Sequence, residues 1–571
     1  MKKLLHFLKR YKKECVLAPL FKLIEACFEL AVPLVVASLI DRGIGGADKP
    51  YIYKMFLLLL IFAFFGFLFA VTAQYFSARA ATGFAYELRR TLFSHIQSLS
   101  YSDLDFFGVS KLITRISGDV TQVQTGVNLT LRLIMRAPFV VFGAVIMAFT
   151  VDSHAALVFC VMVPLLFVII FLIMFGTVPL YKRIQSRLDS VTGTTRENLV
   201  GVRVIRAFAK EEEERDTFDK KNTALYRASV FGGKISALLN PVTYFIVNVS
   251  IALLIYVGAI RVDGGAITQG AVVALYNYMA QILTELVKMA NLVITMTKSV
   301  ASASRINDVL AAEPSMKNGE IKSAEGYDIV FDNVSLRYRG AKEEALSDIT
   351  FTAKEGERIG VIGSTGSGKS TLVSLIARLY DITGGKLTLG GRDVSDYDLS
   401  FLRSFIGYVP QKAVLFSGTI RENLCAGKSD VSDSELYEAL DAAQALDIVK
   451  KKEKGLDEEI EQGGKNFSGG QRQRLTVARA LVKKPRILIL DDSASALDYA
   501  TDAALRHAIS ELSFSPTVFI VSQRASSVMG CDKIIVLDDG KISDMGSHEE
   551  LLSRCPEYEE IYYSQFEKES E

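Results

Sequence analysis

The chain has 571 residues, half of them hydrophobic, with 65 Lys and Arg against 64 Asp and Glu. That length exceeds one ordinary domain, the apolar share and positive mean hydropathy point to a membrane-embedded part, and a net charge of +1 excludes bulk attraction to nucleic acid. Six scattered cysteines (Cys15, Cys27, Cys160, Cys425, Cys531, Cys555), none in a CxxC or a ligand-like cluster with His, read as free thiols in a reducing compartment.

At the start of the chain, MKKLLHFLKRYKKE is basic and amphipathic. No small-residue cleavage site follows the next apolar stretch, so a retained short helix is predicted along the inner membrane surface. Up to about residue 300, roughly six segments are long enough to cross a ~30 Å hydrocarbon core. Their approximate spans are 16–40, 55–77, 133–151, 154–176, 238–260 and 271–297. With no Trp in the chain, any aromatic belt uses Tyr and Phe. The third and fourth segments form a tight hairpin around Val151 to His154. Long polar stretches follow the second and the fourth, and both are rich in Arg and Lys (Arg89, Arg90, Lys111, Arg115; Lys182, Arg183, Arg187, Arg203, Arg206, Lys210). These stretches and the basic N-terminus should face the cytoplasm. Apolar residues recur at helical spacing in both stretches, which predicts membrane helices continuing into the cytoplasm. A short connecting helix is expected near Tyr101–Phe107 and another near Asn198–Arg206.

The polar stretch AAEPSMKNGEIKSAEG, broken by Pro314, Gly319 and Gly326, has linker composition. It divides a membrane domain at 1–310 from a second domain at 327–571, with the linker at 311–326. Beyond it, short β-like runs alternate with helical ones. GSTGSGKST (Gly363, Ser364, Thr365, Gly366, Ser367, Gly368, Lys369, Ser370, Thr371) fits G-x-x-x-x-G-K-[ST] between an apolar strand (Arg358–Ile362) and an apolar helical run (Leu372–Leu379). Backbone N–H groups and the helix N-terminus cradle phosphate oxygens there. Lys369 reaches the β- and γ-phosphates, and the Ser370 hydroxyl can bind Mg²⁺. RILILDD, residues 486–492, reads as a buried parallel strand delivering Asp491 to the Mg²⁺ shell. NFSGGQRQR, residues 466–474, places Ser468, Gly469, Gly470 and Gln471 at a helix start, a second anion cradle. It becomes intelligible if it caps the γ-phosphate of an ATP held by a second copy of the domain.

Together these residues resemble the ATP-binding cassette (ABC) transporter superfamily, over essentially the whole chain. Six spans followed by the ATP domain match its exporter branch with fused halves. The resemblance implies a membrane α-helical bundle of six transmembrane helices with long cytoplasmic extensions, plus an α/β P-loop ATP-binding cassette domain. By the same resemblance Tyr338 in VSLRYRG stacks on adenine. Gln411 in YVPQ senses Mg²⁺ and the γ-phosphate and couples to the membrane helices. Residues 461–464, EQGG, match a coupling segment, NFSGGQ is similar to the signature LSGGQ with Phe467 for Leu, and SALD, ending at Asp498, crosses the dimer interface. Two ATP molecules then sit between the phosphate loop of one domain and the signature of the other. Binding closes the domains, hydrolysis reopens them, and the membrane cavity alternates between inward- and outward-facing.

Two positions depart from the family. Asp492 stands where a Glu general base or water-orienting group is usual, and Gln523 in SQR stands where His is usual. Asp is one methylene shorter, which leaves its carboxylate roughly 1–1.5 Å short of the attacking water, and such a misplacement can cost on the order of 100-fold. Gln carries no charge and cannot shuttle a proton near neutral pH. Either these are neutral changes in a working site, or the site of Lys369, Asp491, Asp492 and Gln523 binds ATP and hydrolyses it poorly. With the signature preserved, the second reading resembles one subunit of the heterodimeric multidrug exporters, partnered by a different, catalytically competent half-transporter. Polar residues in or near the spans (Glu25, Glu29, Arg132, Arg136, Asn240, Asn277, Gln281, Glu285, Lys288, Asn291) either line a cavity or pair between helices and hold the bundle together. Met279 and Met289 line an adaptable apolar surface or simply pack.

The expectation is therefore a multi-pass protein of the cytoplasmic membrane that exports small amphipathic or hydrophobic compounds with ATP and Mg²⁺. The alternatives are a slow homodimeric exporter and an ATP-gated channel or regulatory ATP sensor. An importer is disfavoured by the fused arrangement, and a soluble ATPase of DNA repair by the six spans.

Overall fold

The computed structural model describes residues 2–428 and 430–566, with the backbone alone at 2, 3 and 291. It divides into two compact units, 1–97 with 110–312 and 98–109 with 313–571.

The first unit is helical. Six helical segments among the described residues are long and apolar enough to cross a membrane: Leu4–Ile44, Lys49–Ser98, Val109–Val151, Ser153–Val200, Glu211–Asp263 and Gln269–Leu310. The helix Lys49–Ser98 has 50 residues and Ser153–Val200 has 48. At 1.5 Å per residue each rises over roughly 70 Å, more than twice a ~30 Å hydrocarbon core. The predicted cytoplasmic extensions are thus continuous with the spans. Asp152 alone separates the third and fourth spans, as its side chain caps the fourth by accepting from Ala155 N at 2.7 Å. The third span breaks at Ile134–Met135 between helices Val120–Leu133 and Arg136–Val151. Pro138 explains the break, because it has no N–H for the Ile134 carbonyl. The second connecting helix is Val202–Ala207, since the fourth span runs on to Val200 and leaves only Gly201 before it.

Small residues let these helices approach. A Cβ on Gly270 would lie 2.3 Å from the Ala37 carbonyl oxygen, so only glycine fits where the sixth span starts beside the first. Asp41 ties the same ends by accepting from Thr268 Oγ1 at 2.5 Å and Gly270 N at 2.8 Å. Lower down, Arg136 bridges Glu29 and Glu285, each at 2.5 Å, and Lys288 shares Glu285 at 2.8 Å. Lys22 pairs with Glu25 at 2.6 Å. Glu29, Arg136 and Glu285 thus pair between helices, whereas Glu25 and Lys288 are held by partners three residues away on their own helix. Met279 is fully buried packing, whereas Met289 is half-buried. The side chain of Asn291 lies outside the described residues.

The second unit is α/β. Its strands are β1 (Ile329–Leu336), β2 (Leu346–Ala353), β3 (Arg358–Gly363), β4 (Gly384–Leu389), β5 (Arg392–Asp393), β6 (Ile406–Val409), β7 (Gly418–Thr419), β8 (Glu459–Ile460), β9 (Ile487–Asp491), β10 (Thr517–Val521), β11 (Lys533–Asp538) and β12 (Lys541–Gly546). Near-continuous apolar runs in β3, β9, β10 and β11 suit central strands buried on both faces. They form a six-stranded sheet in the order β12-β11-β3-β10-β9-β6, parallel except for β12. An antiparallel sheet, β2-β1-β4-β5, packs its buried face into the same core through Phe331 and Phe351. A second cluster joins β9 to the helix Gly469–Leu481 through Leu475, Ala478, Leu488 and Leu490.

Candidate functional site

Parallel strands present their carboxyl ends at one edge of the sheet, where open α/β folds bind ligands. β3 delivers Gly363 there, β9 delivers Asp491 and Asp492, and β10 leads to Gln523. The helix Lys369–Ile376 begins immediately after the loop, with Gly366 and Gly368 at φ +89° and +95°. Gly363 is needed for space as well, since a Cβ there would meet the Leu537 carbonyl oxygen at 2.0 Å.

A cavity of about 330 Å³ brings most of the predicted residues together: Tyr338, Thr365, Gly366, Gly368 to Thr371, Gln411, Asp492 and Gln523 line it, whereas Gly363, Ser364, Ser367 and Asp491 lie behind its lining. A larger one of about 540 Å³ borders the other face of the same helix, between Tyr101, Tyr380, Tyr408 and Arg403. It lacks the phosphate-loop glycines, so the smaller cavity is the candidate nucleotide site.

Inside it, Lys369 is buried, and its Nζ donates to the carbonyl oxygens of Gly363 (2.8 Å) and Ser364. Burial lowers its pKa, against the pull of Asp492 and Asp491. Asp491 accepts from Ser370 Oγ at 2.6 Å and from Tyr408 OH at 3.1 Å, while burial holds its pKa above the usual 3.8. Gln411 Nε2 donates to Asp492 Oδ2 at 3.2 Å, which leaves the Gln411 carbonyl oxygen for another partner. The oxygens of Ser370, Asp491 and Gln411 suit a hard cation such as Mg²⁺. Among the described residues no group of three or more His, Cys, Asp or Glu could hold a metal alone. That donor set fits an ion whose remaining ligands are phosphate and water.

Tyr338 donates or accepts at Thr371 Oγ1 (3.0 Å) and meets Tyr380 edge-on at 5.1 Å. Asp492 has φ +48°, a backbone conformation that Asp tolerates better than Glu does. Gln523 is exposed.

The structure does not bring the signature into this cavity. Ser468 caps the helix Gly469–Leu481 in a reciprocal box with Gln471, and Ser468 and Gly469 are exposed to solvent. Gly470 lies against the Ala496 carbonyl oxygen, 3.1 Å from where a Cβ would sit, so this turn is packed on the SALD loop. Phe467 is buried and fills the Leu role as an apolar anchor. Asp498 caps the helix Tyr499–Ser510 by accepting from Thr501 N at 2.8 Å.

Sequence reasoning missed the residues that hold helix Tyr101–Phe107 in this unit. Asp103 is 1% exposed and pairs with Arg339 at 3.1 Å, while Ser315 N donates to it at 3.0 Å. Tyr380 OH donates to Asp105 at 2.7 Å, and Arg339 lies 4.2 Å over the Phe106 ring. Arg339 directly follows Tyr338, so the connecting helix is anchored beside the nucleotide cavity. The capping box Ser100-x-x-Asp103 was the available signal.

Comparison with known proteins agrees with this arrangement. Residues 15–286 match the family described as ABC transporter transmembrane region, and residues 346–495 match the family described as ABC transporter. The chain is 36% identical over 570 residues to the uncharacterized ABC transporter ATP-binding protein YfiB of Bacillus subtilis, covering 100% of this chain and 99% of that protein. It is 32% identical to the putative multidrug export ATP-binding/permease protein YgaD of Bacillus subtilis, covering 98% of both. An ATP-dependent lipid A-core flippase of Haemophilus ducreyi is 28% identical over 99% of this chain and 98% of its own length. The structure of a bacterial Atm1-family ABC exporter with ATP bound superposes with a TM-score of 0.80 at 24% identity, over 98% of this chain and 99% of that one.

Proposed function

The chain belongs to the ABC transporter family as an exporter with fused membrane and ATP-binding domains, and from that premise we propose that it exports small amphipathic or hydrophobic compounds as one half of a heterodimer. Its own phosphate-loop site, completed by a partner's signature, binds Mg²⁺ and ATP and hydrolyses it slowly. The observation that carries this reading is the setting of Asp492. Its carboxylate is engaged by Gln411 at 3.2 Å on a backbone at φ +48°, and Gln523 across the same cavity has no titratable group. Neither residue supplies a base positioned for water attack at neutral pH.

In this reading Tyr338 stacks on adenine, the loop Gly363–Thr371 holds the phosphates, and Ser370, Gln411 and Asp491 hold the ion. Bound Mg²⁺ supplies charge neutralisation at the phosphates. Ser468, Gly469, Gly470, Gln471 and Asp498, exposed or at a helix start on the surface, serve the partner's ATP. The names of relatives that export drugs or flip lipid A cores support an amphipathic cargo.

The test is the mass of the native complex, drawn gently from its own membranes through a C-terminal tag. A one-to-one complex with a related chain carrying Glu and His at the two altered positions is expected. A complex of two identical chains would overturn the heterodimer and favour a slow hydrolase, channel or sensor. Failure of that complex to build a substrate gradient with ATP in inside-out vesicles would overturn export.

A further inference from the structure

Residues of the membrane unit that the ATP cycle leaves unused gather on one face of the sixth span. Gln281, Glu285, Met289, Leu292 and Met296 recur at three- and four-residue steps along Gln269–Leu310, so they share a stripe. Its outer part is polar. Arg136 and Glu285 are 6% and 2% exposed, yet among the described residues Arg136 Nε and Glu285 Oε2 have no hydrogen-bond partner. Buried polar atoms left unpaired cost free energy and call for an explanation.

Arg132, four residues before Arg136, also has a buried Nε without a partner among the described residues. Among the described residues it makes no ion pair, whereas its charged neighbours all do. Glu25 pairs with Lys22, Glu29 and Glu285 with Arg136, and Lys288 with Glu285. Three carboxylates therefore stand against four cations. A surplus positive charge at a membrane span is costly unless something compensates it.

On the cytoplasmic side of these pairs lies an apolar cavity of about 420 Å³, lined by Leu133, Ile134, Pro138, Met289, Leu292 and Met296 among others. The break in the third span at Ile134–Met135 opens it, and two methionines give it an adaptable wall. Arg132 and Lys288 do not line it, but each is the residue directly before a lining one, Leu133 and Met289. From Met289 to Val300 the sixth span rises roughly 16 Å, about the reach of a twelve-carbon chain.

We infer that this face binds an amphipathic anion, its alkyl tail in the cavity and its carboxylate or phosphate against Arg132 and Lys288. The inference rests on the export reading, whose cargo class it specifies. Charge complementarity selects the anion: Glu25, Glu29 and Glu285 already have cations, and Arg132 has no ion-pair partner among the described residues.

The experiment uses the assembled transporter in nanodiscs of zwitterionic lipid, without ATP. Radiolabelled dodecanoate, dodecyl phosphate and dodecyltrimethylammonium are titrated separately. The anions should bind saturably and roughly tenfold or more tighter than the cation. Arg132→Gln should remove that preference, and Arg132→Lys should keep most of it. Met289→Phe should weaken dodecanoate binding more than that of octanoate, titrated alongside, which tests the cavity with Arg132 intact, and an equal effect on both overturns the tail's placement. Tighter dodecanoate assigns a carboxylate head and tighter dodecyl phosphate a phosphate head, and either supports the proposal. Equal or tighter binding of the cation overturns it, as does an anion preference unchanged in Arg132→Gln. Because ATP is absent, loss of anion binding sinks this inference alone, whereas failed ATP-driven export sinks the reading beneath it.

Discussion

Restoring the usual pair, Asp492→Glu with Gln523→His, is the sharpest probe of why the site should be slow. The Asp492 carboxylate reaches Gln411 at 3.2 Å and ends there. One more methylene extends the side chain by about 1.5 Å. Since a misplacement of about 1 Å can cost on the order of 100-fold, the repaired site should turn over roughly 10- to 100-fold faster. A cost accompanies the gain: residue 492 sits at φ +48°, and left-handed backbone costs a residue other than Gly, Asn or Asp roughly 1–2 kcal/mol. The repaired protein should therefore be somewhat less stable while its site is faster. The assay is steady-state ATP hydrolysis by the assembled transporter with the partner's own phosphate-loop Lys changed to Ala, so that residual turnover reports this site. Thermal unfolding of the same samples reports the strain. Turnover unchanged by the double substitution, in protein that still binds ATP, would refute the argument that reach and proton transfer limit this site.

Other outcomes follow from the same geometry. Lys369→Ala removes the ammonium buried among the loop carbonyls and should weaken ATP binding at this site at least tenfold, measured with a photoaffinity analogue, while hydrolysis at the partner's site persists. Complete loss of hydrolysis would instead indicate strict coupling of both sites. Asp103 gives a pH dependence. Burial alone would raise its pKa, but hydrogen bonds from Ser315 and Ser100 outweigh that and hold it below 3.8. Its ionised form therefore contributes stability above the ordinary Asp value, and this contribution is lost as pH falls through the lower folded value. Hydrogen exchange across residues 101–107, corrected for intrinsic rates, should stay slow near neutrality and rise below about pH 4. Asp103→Asn should be destabilised already at neutral pH and lose that acid step. Arg136→Met leaves Glu29 without its cation and the buried Glu285 with Lys288 alone, and should cost about 1–3 kcal/mol in thermal unfolding. Adding Glu29→Gln and Glu285→Gln should recover most of the loss, and no recovery would mean that Arg136 acts through packing.

Much of this was legible in the chain because it is local. Hydropathy runs of membrane length, Arg and Lys in two of the connections, and a phosphate loop between an apolar strand and an apolar helix are properties of neighbouring residues. They determined six spans, their orientation and the ATP fold before any packing was known. What only the tertiary structure decided depends on residues far apart in sequence. Asp103 and Arg339 are 236 positions apart, and their pairing places the first connecting helix beside Tyr338. Arg136 and Glu285 are 149 apart, so the spacing of charges along single spans could name the ionisable residues without saying which of them pair. The left-handed backbone of Asp492 arises from the turn at the end of β9, which no side-chain pattern reports. Periodicity encodes which face of an element is buried, but partners across elements are chosen by packing and by the cost of leaving a charge alone in a poorly solvated interior.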